Sequence, residues 1–265
     1  MNQQARSAAM RAEASATATI RRHLTGKTIA VRELDEATRR AAFALFATAY
    51  EGADWPRFVA DLEEKQHVIV MRDQTTRLLK GFSTISVRFD ETEGDKAIVV
   101  FSGDTVIDRD YWGQKLLHAQ LARLFIRLQV RNPRLPVYWF LVSKGYKTYL
   151  GFIKNFPISI PRHDRPDDEH LRRLLDRVAA ARFGATYDAA TGIAVNTGHE
   201  WVRHGLAPID ARAQGNHHVR FFVERNPGHE RGDELACLAL IRKRDVLALT
   251  LRASIARLRK RITAG

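Results

Sequence analysis

The sequence predicts an α/β fold in which a mixed β-sheet with flanking helices occupies residues 27–160 and an α+β extension occupies residues 161–265. Three observations predict it. Strand and helix patterns alternate in the order β-α-α-β-β-β-α-β-α between Thr28 and Phe156. The run Pro136–Val142 is continuously apolar, which is typical of a strand buried on both faces. Apolar residues make up 45% of the 265 residues, enough for a sizeable core.

The first elements are a strand and two helices. Polar and apolar residues alternate over Thr28–Leu34, which predicts a strand. Asp35 stands where an N-cap belongs, before a helix that reaches about Tyr50. Asp54 and Pro56 begin a second helix, because proline suits the first helical turn.

Three strands, a helix, a fourth strand and a short helix complete residues 27–160. The strands are expected at His67–Met71, Leu79–Phe89, Ala97–Ile107 and Pro136–Val142. Between the last two, an apolar stripe at helical spacing predicts a helix from about Trp112 to the Asn132-Pro133 pair. Ser143–Asn155 is predicted to be a short helix that carries aromatic residues.

The extension is expected to contain a helix after Pro166, a strand at His217–Arg225 and a C-terminal helix over Arg242–Ile262. An apolar stripe in the last helix is surrounded by basic residues, a pattern typical of a helix that lies on a membrane surface or docks on the core of its own protein. The stripe consists of Leu247, Leu251, Ile255, Leu258 and Ile262.

The positive charge of the chain is concentrated at its ends. The net charge is +13, whereas residues 31–240 carry only +2. Residues 1–26 form a basic tail without the apolar segment of a secretory signal; its composition suits either a disordered or fraying tail or a transit peptide. A charge distribution of this kind does not favour a folded nucleic-acid-binding face, so nucleic acid is not an expected partner.

Composition also excludes several classes of protein. No apolar run approaches the roughly 18 residues that span a bilayer, so an integral membrane protein is not expected. Cys237 is the only cysteine, which rules out an intramolecular disulfide and a cysteine-rich zinc site. We therefore expect a protein of a reducing compartment, cytoplasmic or peripheral to a membrane, with no metal.

The order of elements resembles that of the GNAT superfamily of acyl-CoA-dependent N-acyltransferases, as a divergent member. In that family the sheet splays between its fourth and fifth strands, and the acyl thioester lies in the splay. Here these strands would be Ala97–Ile107 and Pro136–Val142. The resemblance implies a donor that is an acyl-CoA, whose pyrophosphate would face the start of the following helix. A helix N-terminus suits this role because its N–H groups are unsatisfied and carry partial positive charge.

The turn between these elements resembles the donor-binding loop of the family. That loop usually contains an Arg/Gln-x-x-Gly-x-Gly/Ala run, and Tyr111, Gly113 and Gln114 match part of it. Trp112 and Lys115 depart from it; Lys115 would either add a charge for the pyrophosphate or block close backbone approach. These departures leave room for a long-chain acyl-CoA, an acyl carrier protein thioester or a lost active site. The residues implied in donor binding are Arg109, Trp112, Gly113, Gln114 and Lys115.

Two residues are implied in catalysis. Tyr149 best matches the tyrosine that protonates the leaving thiolate in the family, and Tyr146 competes for the role. Asp104 is the candidate base, with Asp108 as the alternative and Glu33 and Glu200 more remote. Backbone groups of residues 101–105 would polarise the thioester carbonyl.

The glycine of the Ser102-Gly103 pair suggests either a bulge in the strand or a close approach of ligand. The amine would attack the thioester directly, so no Ser/His/Asp triad is required.

The expected function is therefore transfer of an acyl group from an acyl thioester to an amine acceptor. The alternative is a non-catalytic binding protein with the same fold, whose basic termini contact a membrane surface, an acidic protein or nucleic acid. The basic C-terminal helix would also attract an acidic acyl carrier protein.

Overall fold

The computed structural model describes residues 22–92, 95–197, 201–202, 209, 211–248 and 250. Its strands are β1 (Leu24–Ala30), β2 (Tyr50–Glu51), β3 (His67–Asp73), β4 (Leu79–Thr92), β5 (Asp95–Ile107), β6 (Val137–Ser143), β7 (Ser159–Ile160), β8 (Tyr187–Asp188), β9 (Ile193–Ala194), β10 (Trp201–Val202) and β11 (Glu234–Leu240). Its helices are α1 (Glu36–Ala49), α2 (Trp55–Glu63), α3 (Leu116–Arg131), α4 (Tyr146–Asn155), α5 (Glu169–Phe183), α6 (Ala211–Gln214) and α7 (His217–Arg225).

The main sheet has the order β1-β3-β4-β5-β6-β11-β9-β8, with β7 also paired to β11. Every pair of neighbouring strands is antiparallel except β5 and β6, which are parallel. The parallel pair requires a crossover connection, and α3 provides it. The predicted fold class, a mixed sheet with flanking helices, is therefore confirmed.

Helices cover both faces of the sheet, and alternate residues of β5 show how. Val100 is buried in the cluster that contains Phe125 of α3 and Phe152 of α4. Its neighbour Phe101 is buried on the opposite face with Leu175 of α5. Helices α1 and α2 cover β3 and β4 on that second face. This two-sided burial explains why the central strands are apolar at consecutive positions.

The N-terminal strand begins earlier than predicted. It spans Leu24–Ala30, and Val31–Glu33 form a 3₁₀ turn instead of the end of a strand. The register with β3 continues from Ala30 back to Leu24, so the strand includes residues that were assigned to the tail. Residues 1–21 of the predicted tail lie outside the described residues. The helix predicted after Asp35 is confirmed, and the Asp35 side chain accepts the N–H of Thr38.

The predicted strand at His217–Arg225 is wrong, because this segment is the helix α7. Asn216 is its N-cap and accepts the N–H of His218. Val219 and Phe222, three residues apart, are the buried positions. This spacing is helical, and the apolar run around it concealed the period.

The two helices on either side of β6 begin later than predicted. Helix α3 starts at Leu116, because Arg109–Tyr111 form a 3₁₀ turn and Gly113 has a φ of 78°. Helix α4 starts at Tyr146, because β6 continues to Ser143.

Strand β11 was not predicted, although its apolar residues were visible in the sequence. It pairs along its length with β6, in the register Cys237 opposite Leu141. The extension therefore contributes a strand to the same sheet, and the predicted boundary after residue 160 does not divide that sheet.

Two expectations concern the C-terminus and membranes. Residues 243–248 are helical, and residues 251–265, which hold most of the predicted basic amphipathic helix, lie outside the described residues. In the described ranges, we find no helix with the length and apolarity needed to cross a bilayer.

Candidate functional site

The sheet opens between β5 and β6. The two strands pair in parallel from Ile98 opposite Val137 to Ser102 opposite Leu141. Beyond that point β5 continues to Ile107 and pairs only with β4, whereas β6 pairs with β11 up to Ser143. On the β6 side, residues 103–107 therefore have no strand partner within the described part of the chain. The sequence analysis expects a gap between these same two strands, there predicted as Ala97–Ile107 and Pro136–Val142.

Gly103 lies at the start of this gap, in a bulge of β5. Ser83 pairs with Thr105 and Ile85 with Ser102, so Gly103 and Asp104 of β5 together lie opposite Thr84 of β4. A Cβ atom on Gly103 would lie 2.6 Å from Oγ1 of Thr84 and 3.3 Å from Cε of Lys65. Packing within the protein thus requires a glycine here, and of the two interpretations of Gly103 the structure supports the bulge.

Asp104 follows immediately and is partly exposed at the gap. Burial is the largest cause that raises the pKa of its carboxyl, to about 7. The charges of Asp61 and Glu234 also raise this pKa, whereas Lys144 and Lys65 lower it. A carboxyl with a pKa near neutrality exchanges protons readily at physiological pH, as a general base must. Asp104 stays a candidate base, and its raised pKa and its position at the gap are what recommend it.

Four charged residues from distant parts of the chain influence Asp104, namely Asp61, Lys65, Lys144 and Glu234. Lys65, which follows α2, is 4% exposed, and its Nζ lies 2.7 Å from Oδ2 of Asp61. Arg182 of α5 also binds Asp61, at 2.5 Å. These two cations hold Asp61 ionised, and its pKa is lowered despite burial.

On the other side of the gap, Lys144 follows β6 directly. Its Nζ lies 3.8 Å from Oε1 of Glu234, the first residue of β11, and 4.9 Å from the ring centroid of Tyr50. Burial raises the pKa of Glu234. Lys144 therefore joins the ends of β6 and β11 to the short strand β2. Sequence reasoning missed Lys65, Lys144 and Glu234, because no spacing in the sequence brings together the ends of α2 and β6 and the start of β11.

The turn from β5 to α3 forms the far end of the gap. Lys115 precedes α3 and provides no side-chain cap for the first turn of the helix. Gly113 has a φ of 78°, and no heavy atom lies within 4 Å of the position that a Cβ would occupy there. The open backbone and the uncapped helix N-terminus suit an anionic group such as a phosphate.

Two cations lie near the ring of Trp112 in this turn. The Trp112 side chain is 48% exposed, and its Nε1 donates a hydrogen bond of 2.7 Å to the carbonyl of Ile107. The guanidinium of Arg109 lies 6.0 Å and Nζ of Lys147 lies 5.8 Å from its ring centroid. Lys115 is exposed two residues after Gly113. The structure thus brings Arg109, Trp112, Gly113 and Lys115 together and adds Lys147, which the sequence analysis did not single out.

Gln114 has a different role from the one expected. Its Oε1 accepts the N–H of Leu24 at 3.0 Å, and its Nε2 donates to the carbonyl of Arg22 at 2.9 Å. Both polar atoms of the Gln114 side chain therefore bind backbone groups at the start of β1. These two hydrogen bonds favour a structural role for Gln114 over a role in donor binding.

Tyr149 does not lie where the predicted acid is needed. Its side chain is completely buried, and its hydroxyl donates to the carbonyl of Pro161 at 3.1 Å. Its ring packs against Phe221 and Phe222 of α7. Burial raises the pKa of Tyr149 far above its ordinary value. Protonation of a thiolate by Tyr149 would require this buried hydrogen bond to break.

Tyr146 lies nearer the turn. It is the first residue of α4, three positions after the end of β6, and is 8% exposed. Nζ of Lys147 lies 6.0 Å from the Tyr146 ring centroid and 5.8 Å from that of Trp112, so Lys147 lies near both rings. Of the two tyrosines, Tyr146 is therefore the one that shares a neighbouring cation with the turn.

The alternative bases are placed elsewhere. Asp108 accepts the N–H of Asp110 and forms an ion pair of 2.8 Å with Lys80. Glu33 lines a cavity beside β1. Glu200 lies outside the described residues. Asp108 is thus committed to the turn, which leaves Asp104 as the candidate at the gap.

Two cavities, of about 490 and 240 Å³, lie beside β1 and do not reach Asp104 or Tyr149. The gap itself is defined by strand pairing. Among the described residues, no group of three or more histidine, cysteine or acidic side chains is arranged to hold a metal ion.

Comparisons with known proteins give partial matches of structure alone. No family model matches the chain. No curated protein is similar to it in sequence.

Several solved structures resemble about half of the chain. A Trypanosoma brucei acetyltransferase is 17% identical, with a TM-score of 0.37 over 55% of this chain and 98% of its own. A GNAT family N-acetyltransferase from Escherichia coli, solved with CoA, is 16% identical, with a TM-score of 0.35 over 49% of this chain and 68% of its own.

A third match is longer than this chain. It is a conserved protein from Enterococcus faecalis described as a probable N-acyltransferase, 13% identical, with a TM-score of 0.37. The match covers 49% of this chain and only 32% of that protein. These scores describe a partial likeness, and the fold assignment therefore rests on the strand order and register of the chain itself.

Proposed function

We propose that this protein transfers an acyl group from acyl-CoA to an amine acceptor by direct attack. The observation that carries the proposal is the separation of β5 from β6 after Ser102, with Asp104 at the point of separation. The gap leaves unpaired backbone groups that would bind the thioester carbonyl, beside a carboxyl whose pKa of about 7 suits a base.

CoA fits the turn at the end of the gap better than a carrier protein does. A carrier-bound pantetheine arm brings one phosphate, whereas CoA brings a pyrophosphate and a further phosphate. Arg109, Lys115 and Lys147 supply three cations beside the uncapped start of α3. Several cations favour the donor that has several phosphates.

The proposed reaction has a single acyl-transfer step with two proton transfers. The nitrogen lone pair of the acceptor attacks the thioester carbonyl carbon, and the new C–N bond forms as the C–S bond breaks. Asp104 takes the proton from the amine nitrogen. Tyr146 donates its proton to the leaving thiolate, whose ordinary pKa near 8.5 makes it a better leaving group when protonated.

The decisive experiment compares two aspartates on the same strand end. We expect Asp104→Asn to lower thiol release from acyl-CoA by roughly 10²- to 10⁴-fold, because it removes the base. Asp108→Asn is the matched control and should retain most of the activity. The assay follows free thiol with acetyl-, octanoyl- and palmitoyl-CoA against a panel of primary amines.

A binding measurement separates a missing acceptor from a missing donor site. CoA at 100 times its Kd should stabilise the native protein by about 2.7 kcal/mol, which thermal unfolding detects. If no acyl-CoA raises the melting temperature, the transferase proposal fails and the alternative of a non-catalytic binding protein is left.

The basic C-terminal segment favours a membrane surface as the place where the enzyme acts. Leu247, the first residue of the predicted apolar stripe, is 65% exposed, whereas Val246 is fully buried. The exposed Leu247 and the basic sequence that follows it favour contact with an anionic membrane surface, where a long-chain acyl-CoA would be met. Deletion of residues 251–265 should abolish sedimentation with anionic vesicles and leave turnover of acetyl-CoA intact.

A further inference from the structure

At β1, the edge of the main sheet has no strand partner within the described residues, and a cavity lies on each face of this strand. The N–H of Leu24 and the carbonyl of Gly26 are bound by the side chains of Gln114 and Gln120, which reach the edge from the helix side of the strand. The backbone N–H and carbonyl groups of Leu24 and Gly26 therefore point away from β3. Because backbone groups alternate along an antiparallel strand, Thr28 and Ala30 also face outward.

No partner for the backbone N–H and carbonyl of Thr28 occurs within the described ranges. Natural sheets usually cover or disrupt such an edge, because it is a template for pairing with another strand. The N–H and carbonyl groups along the edge of β1 are complementary to the backbone of an extended peptide. A nucleic acid has no such alternating row of donors and acceptors, so the edge favours a peptide.

The cavity on one face of β1 has a volume of about 490 Å³ and contains three cations, Lys27, Arg72 and Arg77. Arg72 donates to the hydroxyl of Thr38 at 2.7 Å and to the carbonyl of Arg77 at 3.2 Å, which fixes its direction. Arg77 has a φ of 61°, unusual for a residue other than glycine.

Two acids also line this cavity. Asp35 is occupied as the cap of α1, and Glu33 is exposed. The cations therefore exceed the acids on this face.

The cavity on the opposite face, between β1 and α3, has a volume of about 240 Å³ and is lined by Arg123 and Arg127 without an acid. Side chains of a strand added to β1 would fall alternately toward the two faces, and so toward the two cavities. Because cations outnumber acids in each of the two cavities, both would favour acidic side chains.

We propose that β1 is the docking edge for an extended acidic peptide of another protein, which would add to the sheet as a strand. The termini of this chain do not fit, because residues 1–21 hold three arginines and one acid, and residues 251–265 hold five basic residues and no acid. A second copy does not fit either, because β1 against β1 would place the same cations opposite each other.

The test measures fluorescence anisotropy with a labelled, end-blocked peptide, Glu-Glu-Val-Glu-Glu-Val-Glu-Glu. Arg123→Glu with Arg127→Glu should weaken binding roughly tenfold or more, because two attractive charges become repulsive. Arg165→Glu with Arg173→Glu makes the same change of charge beside α5, away from β1, and should alter the Kd by less than about twofold.

A second pair of measurements tests backbone pairing separately from charge. Replacing both valines of the peptide by proline keeps its charge but removes two N–H donors, and should weaken binding. Thr28→Pro removes an outward N–H that the native sheet does not use, and should weaken binding while the melting temperature is retained.

If Thr28→Pro unfolds the protein, the proline peptide still decides the question. Equal binding of the valine and proline peptides, equal binding of an oligothymidylate of the same charge, or no binding of either peptide would overturn the proposal.

Discussion

Asp104 owes its proton affinity to residues that are distant in the sequence. Desolvation is the largest cause of its raised pKa, and the charges of Asp61, Lys65, Lys144 and Glu234 adjust the value to about 7. No pattern around Asp104 in the sequence carries this information, because the charges arrive only when the sheet forms.

The pH dependence of turnover follows from this environment. Asp104 accepts a proton only when it is ionised, so activity should rise with pH through about 7. Lys144 lowers the pKa of Asp104, so Lys144→Met should move this rise to higher pH. The pH profile of kcat/KM measures both, with Lys154→Met, at an exposed site on α4, as the control. An unchanged profile in the Lys144 variant would show that another group limits the rate.

The two tyrosines of α4 should respond differently to removal of the hydroxyl. Tyr146→Phe should lower kcat, because the leaving thiolate loses its proton donor. Tyr149→Phe should keep most of the activity but cost about 1–3 kcal/mol of stability, because the buried carbonyl of Pro161 loses its partner. Thiol release and urea unfolding of both variants check this; a loss of turnover confined to Tyr149→Phe would reverse the assignment.

At the scale of elements, the junction of β4 and β5 depends on one glycine. Gly103→Ala would place a Cβ 2.6 Å from Oγ1 of Thr84 and 3.2 Å from the Phe101 ring. We expect a loss of about 1–3 kcal/mol from this overpacking. Urea unfolding measures it, and adding Thr84→Ala should restore part of the loss. Additive effects of the two changes would mean that the contact is not the cause.

Some elements could be predicted from local sequence signals and others could not. The helix after Asp35 and the hairpin of β4 and β5 depend on local signals, a capping side chain and a regular alternation. Strand β11 and helix α7 do not, because in continuously apolar or mixed runs the period is ambiguous and neighbouring elements decide the conformation.

At the scale of the whole molecule, the extension is held to the rest by β11 and by α7, which packs against Tyr149 of α4. Beside this contact, the ring of His163 lies 4.1 Å from that of His218 and 5.6 Å from that of His217. Arg162 and Asp164 are on the same loop, and Arg220 lies 2.9 Å from Nδ1 of His217.

This cluster predicts a loss of stability in acid. Burial and the neighbouring positive charges lower the pKa of His218 below its ordinary 6.5 in the folded protein, although Asp164 opposes them. The unfolded chain therefore binds the proton more readily, and stability should fall as the pH drops below about 6.5. Melting temperatures of the native protein and of His218→Gln between pH 8 and pH 5 test this. The variant should lose less stability in acid; parallel curves would contradict the prediction.

The sequence by itself determined the class of fold, most of the strands and helices of residues 27–160, and the position of the turn at Gly113, because periodicity, caps and turn residues act locally. Only the tertiary structure decided that Asp104 stands among four charged residues from distant parts of the chain, that Tyr149 is committed to Pro161 while Tyr146 lies near the turn, and that β11 joins the sheet. The physical reason is that proton affinity, burial and strand pairing depend on groups brought together by folding, and their distances along the chain do not reveal them.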